Sequence, residues 1–172
     1  MKSRVTPAQT IGPFFHGALC RAGDGRLAEP ASPGALELRG RVLDGAGAPV
    51  GDALLELWQT DGRDSAFCRA ATNDAGEYQV VARKLAGAPL ADGRRQAPHI
   101  NVSVFARGLL HRLVTRVYFP EEGAANARDP LLASIADARL RARLIAQPSA
   151  NGAELRFDFV LQGEHETPFL DV

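Results

Sequence analysis

Cysteine is scarce in this chain: Cys20 and Cys68 are the whole complement among 172 residues. A small secreted scaffold stapled by disulfides carries more, at regular spacing, and two isolated thiols make a poor metal site. Long apolar runs are missing as well, since none approaches the roughly 18 residues of a membrane-spanning helix. Met1-Lys2-Ser3-Arg4 begins basic but leads into Thr6-Pro7-Ala8-Gln9, not into the apolar stretch of a secretory leader. The expectation is a cytoplasmic chain with free thiols. Net charge is absent, with 20 basic against 20 acidic side chains, so nothing in the balance calls for nucleic acid or an anionic membrane as partner. No internal repeat, no G-x-S-x-G and no phosphate-cradling glycine loop occurs. Tyrosine is limited to Tyr78 and Tyr118.

What is present suits one packed domain spanning 1–172. Apolar residues make up 45% and charged residues 23% of the chain, enough to form a core. The first 34 residues are rich in Gly, Pro and Ala and read as an irregular arm. Phe14 and Phe15 are its apolar anchor and need burial, on this domain or on a partner. From Ala35 the period changes to two: Leu36, Leu38, Gly40 and Val42 alternate with Glu37, Arg39 and Arg41. Turn chemistry follows at Asp44-Gly45-Ala46-Gly47 and at Asn73-Asp74-Ala75-Gly76. Further strands are expected over Ala53–Gln59, Glu77–Ala82, Ile100–Ala106, Leu113–Phe119 and Glu154–Leu161, with Asp61–Ala71 as a loop. Short strands spaced by turns predict a mostly β protein, an antiparallel β-sandwich. One helix is expected near residues 130–146. Asp129 caps it, Pro130 takes its first position, and Leu131, Leu132, Ile135, Leu140 and Leu144 follow a helical period. The arginine clusters at Arg94-Arg95 and Arg139–Arg143 read as solvated faces.

Candidate chemistry is sparse. His99 and Asn101 are two apart on one strand and so share a face. Two histidines there would offer one metal two imidazoles, but an amide is a poor ligand for a ferric or zinc ion. His99 therefore reads as a hydrogen-bonded strand histidine. His16, His111 and His165 show no ligand spacing with it, and both tyrosines sit where aromatic packing explains them. In the arm, Gln9-Thr10-Ile11-Gly12-Pro13-Phe14 fixes a bend with one hydroxyl ahead of it. The ordinary reading is an arm tucking in its phenylalanines; the sharper one is a loop presented to a ligand. Arg107, at a strand end before Gly108, is ordinarily solvated but has the fork geometry that grips a carboxylate. Catalytic residues and metal ligands are expected to be absent from this chain.

Several segments together resemble the intradiol ring-cleaving dioxygenases: TPAQTIGPFF, LRGRVLDGAGAPVGDALLELWQTD, NDAGEYQV, APHINVSVFARG, LVTRVYFPEE and RFDFVLQGEHETPF. Their order matches, from Thr6 to Phe169. In that family a ferric ion is held by two tyrosinates and two histidines. This sequence resembles the subunit type that has lost them, with His99 at the first histidine position and Asn101 at the second. Arg116 and Gln96 stand where the catalytic subunit has polar partners of its site. The resemblance implies a homologous iron-binding beta subunit as partner, in αβ protomers of a larger oligomer, with Fe(III) on that partner. It implies that Thr10, Gly12 and Pro13 wall the partner's pocket and that Arg107 lies near the substrate's carboxylate. The implied substrates are protocatechuate and O2, and the implied setting is aromatic catabolism through the β-ketoadipate pathway. The competing expectation is a non-catalytic β-sandwich accessory or binding module.

Overall fold

The computed structural model describes residues 18–149 and 154–171. Alternation sets its strands. β1 (Ala35–Leu43) buries Leu38 and Val42 completely and turns Arg39 and Arg41 to solvent, as a period of two requires. β2 (Leu54–Thr60) buries Leu55 and Leu57, and β4 (Glu77–Arg83) buries Tyr78, Val80 and Ala82. β5 (His99–Phe105) buries Ile100, Val102 and Val104, and β6 (Leu113–Tyr118) buries Thr115 and Val117. β3 (Ser65–Ala71) and the short β7 (Gln147–Pro148), β8 (Glu154–Arg156) and β9 (Phe159–Val160) complete the strands among the described residues.

One sheet has the order β4-β1-β8-β7, with β9 also on β1; the other has the order β3-β2-β5-β6. The second sheet is antiparallel throughout. Leu38, Val42 and Val80 from the first sheet meet Leu55, Leu57 and Val102 from the second in one core. This is the expected β-sandwich. Part of the arm joins it: Gly25 donates to the Arg69 carbonyl and Leu27 to that of Val81, so this stretch links an edge of each sheet.

Three local expectations are corrected. The segment 61–71 is not a loop, because from Ser65 onward it is strand β3, paired with β2. Asp61 makes the reversal tight, accepting from the N–H groups of Arg63 and Asp64 at 2.8 Å each. Inward side chains as small as Cys68 and Ala70 left no apolar alternation to read. The one helix expected near residues 130–146 is two, α2 (Pro130–Ser134) and α3 (Ala138–Ala142), preceded by the short α1 (Gly123–Asn126). Asp137 competes as a second N-cap and accepts from Arg139 N–H at 2.7 Å. The tail of the expected helix pairs with β6 instead: Tyr118 N–H donates to Leu144 O at 2.8 Å and Ala146 N–H to Tyr118 O at 2.9 Å. Finally, the stretch from Glu154 to Leu161 breaks at Phe157-Asp158, where Asp158 takes the Arg41 N–H at 2.8 Å. Among the described residues no helix is long and apolar enough to cross a membrane.

Candidate functional site

The register of β5 against β6 places four polar side chains at the corners of a rectangle. His99 faces Tyr118, and Asn101 faces Arg116. All four point away from the core, since Ile100 and Val117 between them point into it. The row continues outward, with Trp58 opposite Asn101 and Phe67 opposite Trp58. Trp58 and Phe67 are 45% and 52% exposed, so this end of the face is bare. Residues 119–146 cover the other end, where Leu132, Leu144 and Ala97 pack on a wholly buried Tyr118.

Hydrogen bonds fix the rectangle. His99 Nδ1 lies 2.8 Å from Ala97 O; a carbonyl only accepts, so Nδ1 carries the proton and Nε2 keeps the lone pair. Burial, then the Arg116 charge, pushes this imidazole down to about 4, so it is neutral at pH 7. Arg116 Nε donates to Asn101 Oδ1 at 3.1 Å, and its Nη1 lies 3.4 Å from the Tyr118 hydroxyl. That hydroxyl donates to Asp129 Oδ1 at 2.9 Å, and Asp129 is fully buried. Burial raises the Tyr118 phenol above its ordinary range, so it stays protonated. Tyr78, the other tyrosine, gives its hydroxyl to Phe157 O at 2.7 Å and is equally committed.

The residues of this face do not fit a ferric ion. The phenol is protonated and engaged, one corner is an amide, and a guanidinium stands between them. Among the described residues no three His, Cys, Asp or Glu side chains converge elsewhere. Cys68 is buried, its thiol pushed up to about 12 by desolvation, which makes it inert as a thiolate.

Arg107 lies away from this face. It follows the far end of β5, and the six steps from His99 to Phe105 alone span roughly 20 Å. Its side chain is 67% exposed and its Nε pairs with Asp52 just ahead of β2. Asp52 thus holds one edge of the guanidinium and leaves the terminal nitrogens for a second acceptor. Sequence reasoning missed Asp52, and also Trp58 and Phe67; the phase of Leu55-Leu57 already put Trp58 outward. Thr10, Gly12 and Pro13 lie outside the described residues, as do Phe14 and Phe15. A broad cleft of ≈ 890 Å³ opens on the other sheet among Arg39, Gln79, Arg156 and Asp158. Its Arg39 is tied to Glu37 at 2.6 Å, and it reads as a solvated polar face.

No family model matches the chain. The chain is 39% identical over 192 residues to the protocatechuate 3,4-dioxygenase alpha chain of Pseudomonas putida, covering 96% of each. It is 38% identical over 196 residues to the alpha chain of Burkholderia cepacia, covering 98% of each. The beta chain of the Burkholderia cepacia enzyme is 31% identical over 189 residues, which is 95% of this chain and 78% of that one. Among solved structures, the dioxygenase domain of a dioxygenase carbohydrate-binding protein fusion from Streptomyces sp. SirexAA-E superposes with a TM-score of 0.59. It is 27% identical, over 92% of this chain and 98% of that one.

Proposed function

Since the chain belongs to the protocatechuate 3,4-dioxygenase family of intradiol dioxygenases, we propose that it is an alpha-type subunit that completes the active site of an iron-bearing homologue. The reaction is cleavage of protocatechuate by O2 between its two hydroxyl-bearing carbons. That carbon–carbon bond breaks, both oxygen atoms enter the product, and 3-carboxy-cis,cis-muconate forms. Aromatic catabolism through the β-ketoadipate pathway, in the cytoplasm, is the matching setting. Fe(III) belongs to the beta-type partner, and this chain alone is inactive. Residues 1–172 act as one domain with 1–34 as an arm, and αβ protomers build the larger oligomer.

One observation carries the reading. The chain's own ligand-type face is filled by Arg116 and Asn101, while Arg107 presents free nitrogens at the opposite end of β5. An exposed fork remote from its own face suits a pocket on another chain. There Arg107 receives the substrate's carboxylate, and Thr10 and Gly12-Pro13 form part of the wall. The similarity to both alpha and beta chains supports a homologous pair.

The test is co-expression with a beta-type chain, followed by metal analysis, visible absorption and oxygen uptake. A co-purifying complex with one iron per pair, coloured and active on protocatechuate, is the expected result. A chain that stays monomeric beside the beta-type chain and adds nothing to its activity would sink the proposal in favour of an accessory module.

A further inference from the structure

We infer that Arg116 is a built-in cation of the His99 face, and that its guanidinium, more than the amide at position 101, closes this face to metal ions. The inference concerns this chain's own strands and holds whether or not the partner reading does.

The face retains part of a metal site. His99 has the arrangement of a metal-binding imidazole: Nδ1–H is anchored on the Ala97 carbonyl and Nε2 is left with a lone pair. Position 101 is on the same face, two residues on, so a histidine there would bring a second imidazole beside the first. Without further change, a cation arriving between them would meet Arg116. In the wild type its guanidinium is held by Asn101 Oδ1 at 3.1 Å and the Tyr118 hydroxyl at 3.4 Å, and the second hold remains when position 101 is histidine. Arg116 is half-buried, so its charge is only partly screened. A fixed positive charge beside the site opposes a divalent ion by roughly a hundredfold in affinity or more. The Tyr118 hydroxyl that Arg116 meets is itself tied to the buried Asp129.

The test titrates Zn2+ into the metal-free full chain by calorimetry, comparing the wild type with Asn101→His, Asn101→His/Arg116→Gln and Asn101→His/Arg116→Lys. Only the Gln double variant should bind, about a hundredfold tighter than wild type, and His99→Ala in that background should abolish the gain. Asn101→His alone and the Lys double variant should stay at the wild-type level, because both keep the charge. A gain in Asn101→His equal to that of the Gln double variant would overturn the inference. So would a Gln double variant that is folded by circular dichroism and gains nothing, or a Lys variant that binds as well as it does. The wild type supplies a readout that needs no variant to fold. The Arg116 Nε–H proton should exchange with water far more slowly than that of the exposed Arg112; equal exchange would show that the guanidinium is not lodged there, and the inference would fall.

Discussion

The Tyr118 hydroxyl donates to Asp129 Oδ1 over 2.9 Å, and the same oxygen accepts from the N–H groups of Leu131 and Leu132 at 3.0 and 3.1 Å. The other oxygen takes Ala97 N–H at 2.8 Å. One buried carboxylate therefore ties β6, the start of α2 and the approach to β5. Asp129→Ala leaves a hydroxyl and three N–H groups without their acceptor, and a destabilisation of about 3–5 kcal/mol is expected. Tyr118→Phe should cost about 1–2 kcal/mol. Urea unfolding of the two single variants and the double variant gives the coupling; independent, additive losses would mean that the pair does not act as a unit.

At Gly40 the backbone, not the side chain, makes the contact. A Cβ placed there would lie 1.8 Å from Phe157 O, where β8 breaks from β9 and the Tyr78 hydroxyl also lands. Gly40→Ala must push β1 and the break apart, and a loss of at least about 2 kcal/mol is expected, as for an overpacked core. Gly93→Ala meets nothing within 4 Å and carries only the strain of φ +84°, a smaller loss of about 1 kcal/mol. Thermal unfolding compares them. A Gly40→Ala protein as stable as Gly93→Ala would show that the crossing is loose.

The sandwich was legible because its long strands alternate: Leu38-Val42, Leu55-Leu57 and Ile100-Val102-Val104 announce their inward faces. β3 was not, because Cys68 and Ala70 fill their half of the core with little apolar contrast to Phe67 and Arg69 outside. The split of the expected helix was half legible. Asp137 is an N-cap type and stood in view, but the helical spacing of Leu140 and Leu144 masked it. Leu144 is buried for a different reason, the bridge of its neighbours to Tyr118. At the site, the residue types were readable and the register was not. Only the pairing of β5 with β6 sets Arg116 beside Asn101 and Tyr118 beside His99, and no local pattern encodes that pairing.

The imidazole of His99 gives stability a pH dependence with a definite sign. Its folded value is about 4, because burial and then the Arg116 charge disfavour the cation, against an ordinary 6.5 when unfolded. Well above pH 6.5 the ring is neutral in both states and the native state keeps its full stability. As pH falls from 6.5 towards 4, the unfolded chain takes a proton that the folded chain refuses, and stability drops by up to roughly 3 kcal/mol. His99→Gln should flatten the unfolding free energy within that window. If wild type and variant track each other from pH 7 to pH 4, this histidine is not the group responsible.

Arg107 and Asp52 make the partner proposal quantitative. Asp52 engages Nε of an otherwise exposed guanidinium, so the fork is aimed before any ligand arrives. If the fork receives the carboxylate of protocatechuate in the beta-type chain's pocket, Arg107→Ala removes a charge-assisted hydrogen bond worth roughly 1.5–3 kcal/mol. In the assembled complex kcat/KM for protocatechuate should then fall about ten- to a hundredfold. Catechol lacks a carboxylate, so its kcat/KM should barely change. Asp52→Asn keeps the arginine but loosens its aim, and a loss of about threefold to tenfold on protocatechuate alone is expected. Iron content and absorption should match the wild-type complex in both variants, since no ligand is touched. Oxygen uptake with the two substrates decides the matter. Equal losses on protocatechuate and catechol would mean that Arg107 only braces the loop ahead of β2, and the carboxylate role would have to be given up.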